Sequence, residues 1–156
     1  MMKHRLLIEA LEASPHDVRR LLRPLSAEAL TWKEGENWSL AEIVTHLANI
    51  DVIFGPRFHR IVEQDRPTFM PVDPTATLAI STSPDEDLAR WQAERATMCA
   101  WLAGLHSGDW NRQATHSTRG PITLRSEVQV IVNHDTDHLA QMTEVRRAWE
   151  EGHKHE

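Results

Sequence analysis

The sequence predicts an all-α protein, a four-helix bundle. Three observations carry this prediction. Apolar residues recur at helical spacing nearly throughout, and no segment shows a convincing period of two. Two serine-led capping signatures, Ser39-Leu40-Ala41-Glu42 and Ser83-Pro84-Asp85-Glu86, open long amphipathic runs. Hairpin signals of the Asn-Gly or Asp-Gly kind are missing. Amphipathic helices of this length can bury their stripes only against one another, which makes a bundle.

The first helix is predicted over 3–23. Leu7, Leu11, Val18, Leu21, Leu22 and Leu25 keep one helical phase across Pro15. Ser14-Pro15-His16-Asp17 could restart a helix, but the continuous phase favours one kinked helix. The second runs from the Ser39 cap to about 64, with Trp38 placed to staple onto Ile43. Leu40, Ile43, Leu47, Ile50, Phe54, Phe58 and Ile61 mark its apolar face, and Pro56 should bend it. Residues 65–83, with Pro67, Pro71 and Pro74, are too long for a tight helical hairpin and must cross an end of the bundle or run along its side. The third helix runs from the Ser83 cap to about 105 on Leu88, Trp91, Met98, Leu102 and Leu105, with Arg95 inside that stripe. A second long loop, 106–122, precedes a fourth helix from about Thr123 to 150, which Gly152 ends. The domain is expected to span 1–152, with 153–156 a frayed tail.

The chain of 156 residues suffices for one core without a stabilising metal or disulfide. Its net charge of −6 argues against nucleic acid as the main partner, since phosphate neutralisation needs a basic face. No apolar stretch approaches membrane-spanning length, so no membrane partner is expected. Glu9 and Glu12 interrupt any secretory core near the start, and Cys99 is a lone cysteine; a cytoplasmic location is the expectation.

The chemically suggestive segment is Asn133-His134-Asp135-Thr136-Asp137-His138. His134 and His138 are one helical turn apart on one side, a spacing at which two imidazoles can reach one ion. That spacing alone is weak evidence. Direction strengthens it: His138 falls inside the apolar stripe and His134 on its flank. On the second helix His46 flanks the apolar face beside Ile43 and Ile50. A third imidazole from there would complete a facial set with an open position, the pattern of a catalytic site. Each histidine taken singly is more simply read as a surface or internally satisfied ring.

Two segments carry a family resemblance: Trp38-Ser39-Leu40-Ala41-Glu42-Ile43-Val44-Thr45-His46-Leu47, and Asn133-His134-Asp135-Thr136-Asp137-His138-Leu139-Ala140-Gln141-Met142. In this order they resemble the DinB/YfiT-like family of metal-dependent enzymes. Gly120-Pro121-Ile122-Thr123-Leu124 also resembles that family's approach to its last helix. The resemblance covers about 3–150. It implies a long crossover between helices two and three, often a homodimer, and a divalent metal, zinc or nickel, on His46, His134 and His138. It implies either of two reactions on a small molecule: hydrolysis, or transfer to a low-molecular-weight thiol. A bundle that binds metal or ligand without turnover is the alternative.

Around this set, Gln141 shares the histidines' face and is a candidate contact to a ligand or to an imidazole. Arg95 could clamp an anionic substrate group, and its plainer reading is an edge residue that snorkels to solvent. Asp51 is a candidate general base and Glu42 a candidate second-layer acceptor, although the cap already explains Glu42. Asp135 and Asp137 are expected on the solvated sides. His116 and Arg119 sit in the second loop, where a histidine is usually exposed; Arg119 and Arg125 are further candidate anchors. Cys99 reads as a small buried residue, and His153 and His155 as too mobile for catalysis. The six tryptophans are expected in the core and at interfaces.

Overall fold

The structure is a computed structural model that describes residues 2–78 and 83–154. Four long helices form the bundle: α1 (Met2–Leu22), α3 (Leu40–Glu63), α4 (Pro84–Ala103) and α5 (Leu124–Gly152). A one-turn helix, α2 (Ala27–Thr31), lies between the first two. The α3 cap forms as expected: the Ser39 hydroxyl accepts the Glu42 N–H, and the Glu42 carboxylate accepts the Ser39 N–H, each at 3.1 Å. At α4 the Ser83 hydroxyl accepts the Glu86 N–H at 3.1 Å, which is one half of the expected box. Thr123 and Ser126 form a reciprocal box at the start of α5.

The apolar stripes assemble into two clusters, one toward each end. One gathers Leu7, Leu11, Phe54, Phe58, Leu102, Leu124 and Ile131. The other gathers Val18, Leu22, Leu40, Ile43, Leu47, Trp91 and Met142. The order in which each helix visits the clusters fixes its direction: α1 and α5 run one way, α3 and α4 the other. Helix α1 packs against α4 and α5, and α3 does the same, so α1 and α3 are diagonal partners. Because α3 and α4 are parallel, residues 64–83 must travel back along the bundle, which is the expected long crossover. Residues 79–82 of that stretch lie outside the described residues.

Between the two apolar clusters lies a polar waist. Thr45, His46, Asn49 and Asp51 of α3, Arg95 of α4 and Asp135 of α5 are all buried there. Its centre is Arg95, 2% exposed, and one guanidinium touches all four long helices. Nε and Nη2 donate to the Asp51 carboxylate at 2.8 and 3.0 Å. Nη1 and Nη2 donate to Asp135 at 2.7 and 3.2 Å. Nη1 also donates to the Leu11 carbonyl at 2.9 Å. That last contact explains how α1 tolerates Pro15. Proline has no N–H, so the carbonyl four residues earlier loses its helical donor. Leu11 is that residue, and Arg95 supplies the replacement. Helix α1 is accordingly one helix through Pro15, and the Ser14 hydroxyl donates back to the Ala10 carbonyl instead of capping a new start.

Three expectations need correction. The 106–122 loop holds strands, which pair with the crossover in a three-stranded sheet ordered β1 (Thr68–Phe69), β2 (Gln113–His116), β3 (Gly120–Thr123). β1 and β2 are parallel, and β2 and β3 form an antiparallel hairpin closed at Gly120, whose φ of +81° suits glycine. His116 is not an exposed loop residue: it is 6% exposed, and its Nδ1 accepts the backbone N–H groups of Thr118 and Arg119 across the hairpin turn. The tail is packed at its start, where the His153 ring lies 3.4 Å from that of Trp149 and Nδ1–H donates to the Trp149 carbonyl. His155 and Glu156 fall outside the described residues. Among the described residues no helix is long and apolar enough to cross a membrane.

Candidate metal centre

The waist brings three imidazoles together. His46 is buried; His134 and His138 are half-buried on the facing side of α5. The Nε2 atom of His134 lies 2.9 Å from that of His46 and 3.1 Å from that of His138. One ligand atom from each of the three rings falls within 4.8 Å of the others. The antiparallel packing of α3 on α5 sets this meeting, since His46 and the 134/138 pair sit level on neighbouring helices.

Two of the rings are held from behind. The Thr77 hydroxyl lies 2.6 Å from His46 Nδ1 and donates its own proton to the Pro74 carbonyl. A hydroxyl has one proton, so at His46 it must accept, and Nδ1 carries the hydrogen. The Gln141 carbonyl oxygen, an acceptor only, lies 2.7 Å from His138 Nδ1, which must therefore be N–H. Both rings thus present a bare Nε2 lone pair to the centre. His134 Nδ1 is buried without a hydrogen-bond partner among the described residues. A proton on His134 Nε2 could satisfy one of its two neighbours; the other would face it lone pair to lone pair. A cation between the rings would take all three Nε2 lone pairs, leaving only the His134 Nδ1–H unpaired among the described residues, so this donor set fits a divalent ion.

The charge state fits as well. Burial, then the neighbouring His134 and His138, push His46 down from 6.5 to about 3. Burial, then His138, push His134 down to about 4. Both rings are neutral at neutral pH, as ligation requires. These two rings therefore contribute stability to the metal-free protein that is lost on acidification. The unfolded chain takes up protons below the ordinary 6.5 that these two rings refuse in the fold, so the unfolded state binds more and stability falls as pH falls. Urea denaturation of metal-free protein from pH 7.5 to 4 should show a midpoint flat above about 6.5 and declining below it; a midpoint that rises on acidification would contradict this.

The neighbours divide. Gln141 meets the centre through the ring of His138. Arg95 does not serve as a free clamp and does not snorkel: its donors go to Asp51, Asp135 and Leu11, and although burial lowers its pKa, the two carboxylates outweigh that and raise it. Asp51 is consequently not a free base, and Asp135 is 5% exposed instead of solvated. Asp137 is exposed as expected. Glu42 is engaged by its cap and by Lys33 at 3.2 Å. Arg119 is joined by both terminal nitrogens to Glu127. Cys99 is buried, and desolvation pushes its thiol up to about 12, which makes it inert. Trp38 packs on His46 with ring centroids 4.9 Å apart. Sequence reasoning missed Thr77. Its only signal was a threonine in a proline-rich connection, and nothing local said which ring it would meet.

Known proteins share the family and the fold of this chain. The DinB superfamily profile matches residues 10–142. A Bacillus subtilis (strain 168) protein named "Putative metal-dependent hydrolase YfiT" is 26% identical over 147 residues, covering 90% of this chain and 82% of that one. The solved structure of Bacillus subtilis YfiT, described as having an unusual four-helix bundle topology, matches at a TM-score of 0.85 and 24% identity, over 93% of this chain and 86% of its own. With most of its length inside the family profile, the chain belongs to the DinB superfamily.

Proposed function

We propose that this protein is a metal-dependent enzyme acting on a small molecule, with one divalent ion, zinc or nickel, held by His46, His134 and His138. The observation that carries this is the convergence of the three imidazoles, two of them with their Nε2 lone pairs bared by hydrogen bonds from behind. Three protein ligands leave a coordination position for a reactant, as catalytic sites do and closed structural sites do not. A divalent ion there supplies one kind of chemistry: it lowers the pKa of a coordinated water or thiol toward neutrality. The chain does the rest. Gln141 holds His138 in the ligating tautomer, and Trp38 packs on one side of the His46 ring.

Two reactions suit this centre. The name of the Bacillus subtilis relative supports hydrolysis. The carboxylates favour transfer to a low-molecular-weight thiol. Asp51 and Asp135 are held by Arg95, and Glu42 by its cap and Lys33, so none of these is free to take a proton from an attacking water. A thiol starts near a pKa of about 8.5 and needs less help. Metal-loaded protein assayed on ester and amide panels, and on thiol-plus-electrophile panels, decides between them. Turnover is expected on the thiol panels and lost in His46→Ala. Turnover confined to ester or amide panels would establish hydrolysis, and one bound equivalent of metal without turnover on any panel would leave a binding protein.

A further inference from the structure

The crossover supplies a side chain to the centre that no motif marks. Thr77 is 0% exposed, and it is joined to α3 at two points. Its hydroxyl meets His46 Nδ1, and its carbonyl accepts from the Asn49 side-chain amide, one turn along the same helix. The hydroxyl proton is committed to the Pro74 carbonyl within the same tight turn, Pro74–Leu78. The hydroxyl oxygen is therefore locked as an acceptor.

We propose that Thr77 is a positioning residue of the metal centre: the crossover, through this one hydroxyl, selects the His46 tautomer that points a lone pair at His134 and His138. This rests on the metal-centre reading above. A histidine with its proton on Nε2 would place that hydrogen where the ion must sit, and only an acceptor behind Nδ1 prevents it. Valine at 77 keeps the shape of threonine and removes the acceptor. The buried Nδ1–H would then be unpaired, and the ring would escape that cost by moving its proton to Nε2.

Two measurements test this separately from the metal reading. Long-range 15N–1H correlation spectra of metal-free, 15N-histidine-labelled protein at neutral pH report the tautomer directly. His46 is expected to carry its proton on Nδ1; a proton on Nε2, or an even mixture, would overturn the proposal whether or not the protein binds metal. Zinc affinity is then measured by chelator competition. Thr77→Val is expected to weaken binding about 10–100-fold, and Thr77→Ser to stay within about threefold of the wild type. Circular dichroism confirms that the variants fold; if Thr77→Val does not, the wild-type tautomer decides the matter alone. Equal zinc affinity in folded Thr77→Val and wild type would sink the role of Thr77 and leave the metal centre standing. A wild type that takes up no metal would remove the centre itself.

Discussion

Arg95→Met will destabilise the fold by about 3–5 kcal/mol, because it leaves two buried carboxylates facing each other without a cation. That is a large share of the roughly 5–15 kcal/mol that holds a domain together. The Leu11 carbonyl loses its donor in the same variant, and Pro15 offers no replacement. Two further properties identify the cause. The defect should shrink as pH is lowered toward about 4–5, because unpaired buried carboxylates have raised pKa values and regain stability when protonated. It should also be largely repaired in the triple variant Arg95→Met, Asp51→Leu, Asp135→Leu, since replacing a whole buried ion cluster by apolar groups is often neutral whereas removing one partner is not. Chemical denaturation at two pH values reads both. A loss below about 1 kcal/mol for the single variant would show that the cluster contributes little to stability.

His138→Ala will remove metal and leave the helices. Protein purified without a nickel column should carry close to one equivalent of ion in the wild type and less than about a tenth in the variant. Dividing the roughly 10–16 kcal/mol of a four-ligand zinc site evenly gives about 2.5–4 kcal/mol per ligand, or about two to three powers of ten in affinity. Far-ultraviolet circular dichroism should be unchanged, because His138 is half-buried and the apolar clusters on either side do not depend on it. Unchanged metal content would show that the ion sits elsewhere. Loss of helix together with metal would show an ion that holds the fold.

The long helices were legible because their signals are local. The Ser39 and Ser83 caps and the helical spacing of the stripes each lie within a few turns of chain. The histidine set was legible by the same logic, being one turn apart on α5 and on a flank of α3. What was hidden depends on partners remote in sequence. Strands of two and four residues are too short to show a period, and β1 finds its partner only in the 113–116 segment. Arg95 stood visibly in an apolar stripe, but its partners lie 40, 44 and 84 residues away. The angle of Asp135 on its own helix predicts solvent, a rule that fails where a neighbouring helix brings a cation to that side. Thr77 required knowing the path of the crossover.

The contact between Arg95 and the Leu11 carbonyl also bears on how this chain can be recombined. Pro15 creates a vacancy in α1 that only α4 fills, so the two segments travel as a pair. A chimera that keeps α1 but takes its third long helix from a parent without this arginine inherits a bare carbonyl in the middle of the bundle. One that takes α1 from a parent lacking the proline leaves the guanidinium competing with an ordinary helical N–H. Breakpoints placed before residue 15 or after residue 95 avoid both conflicts.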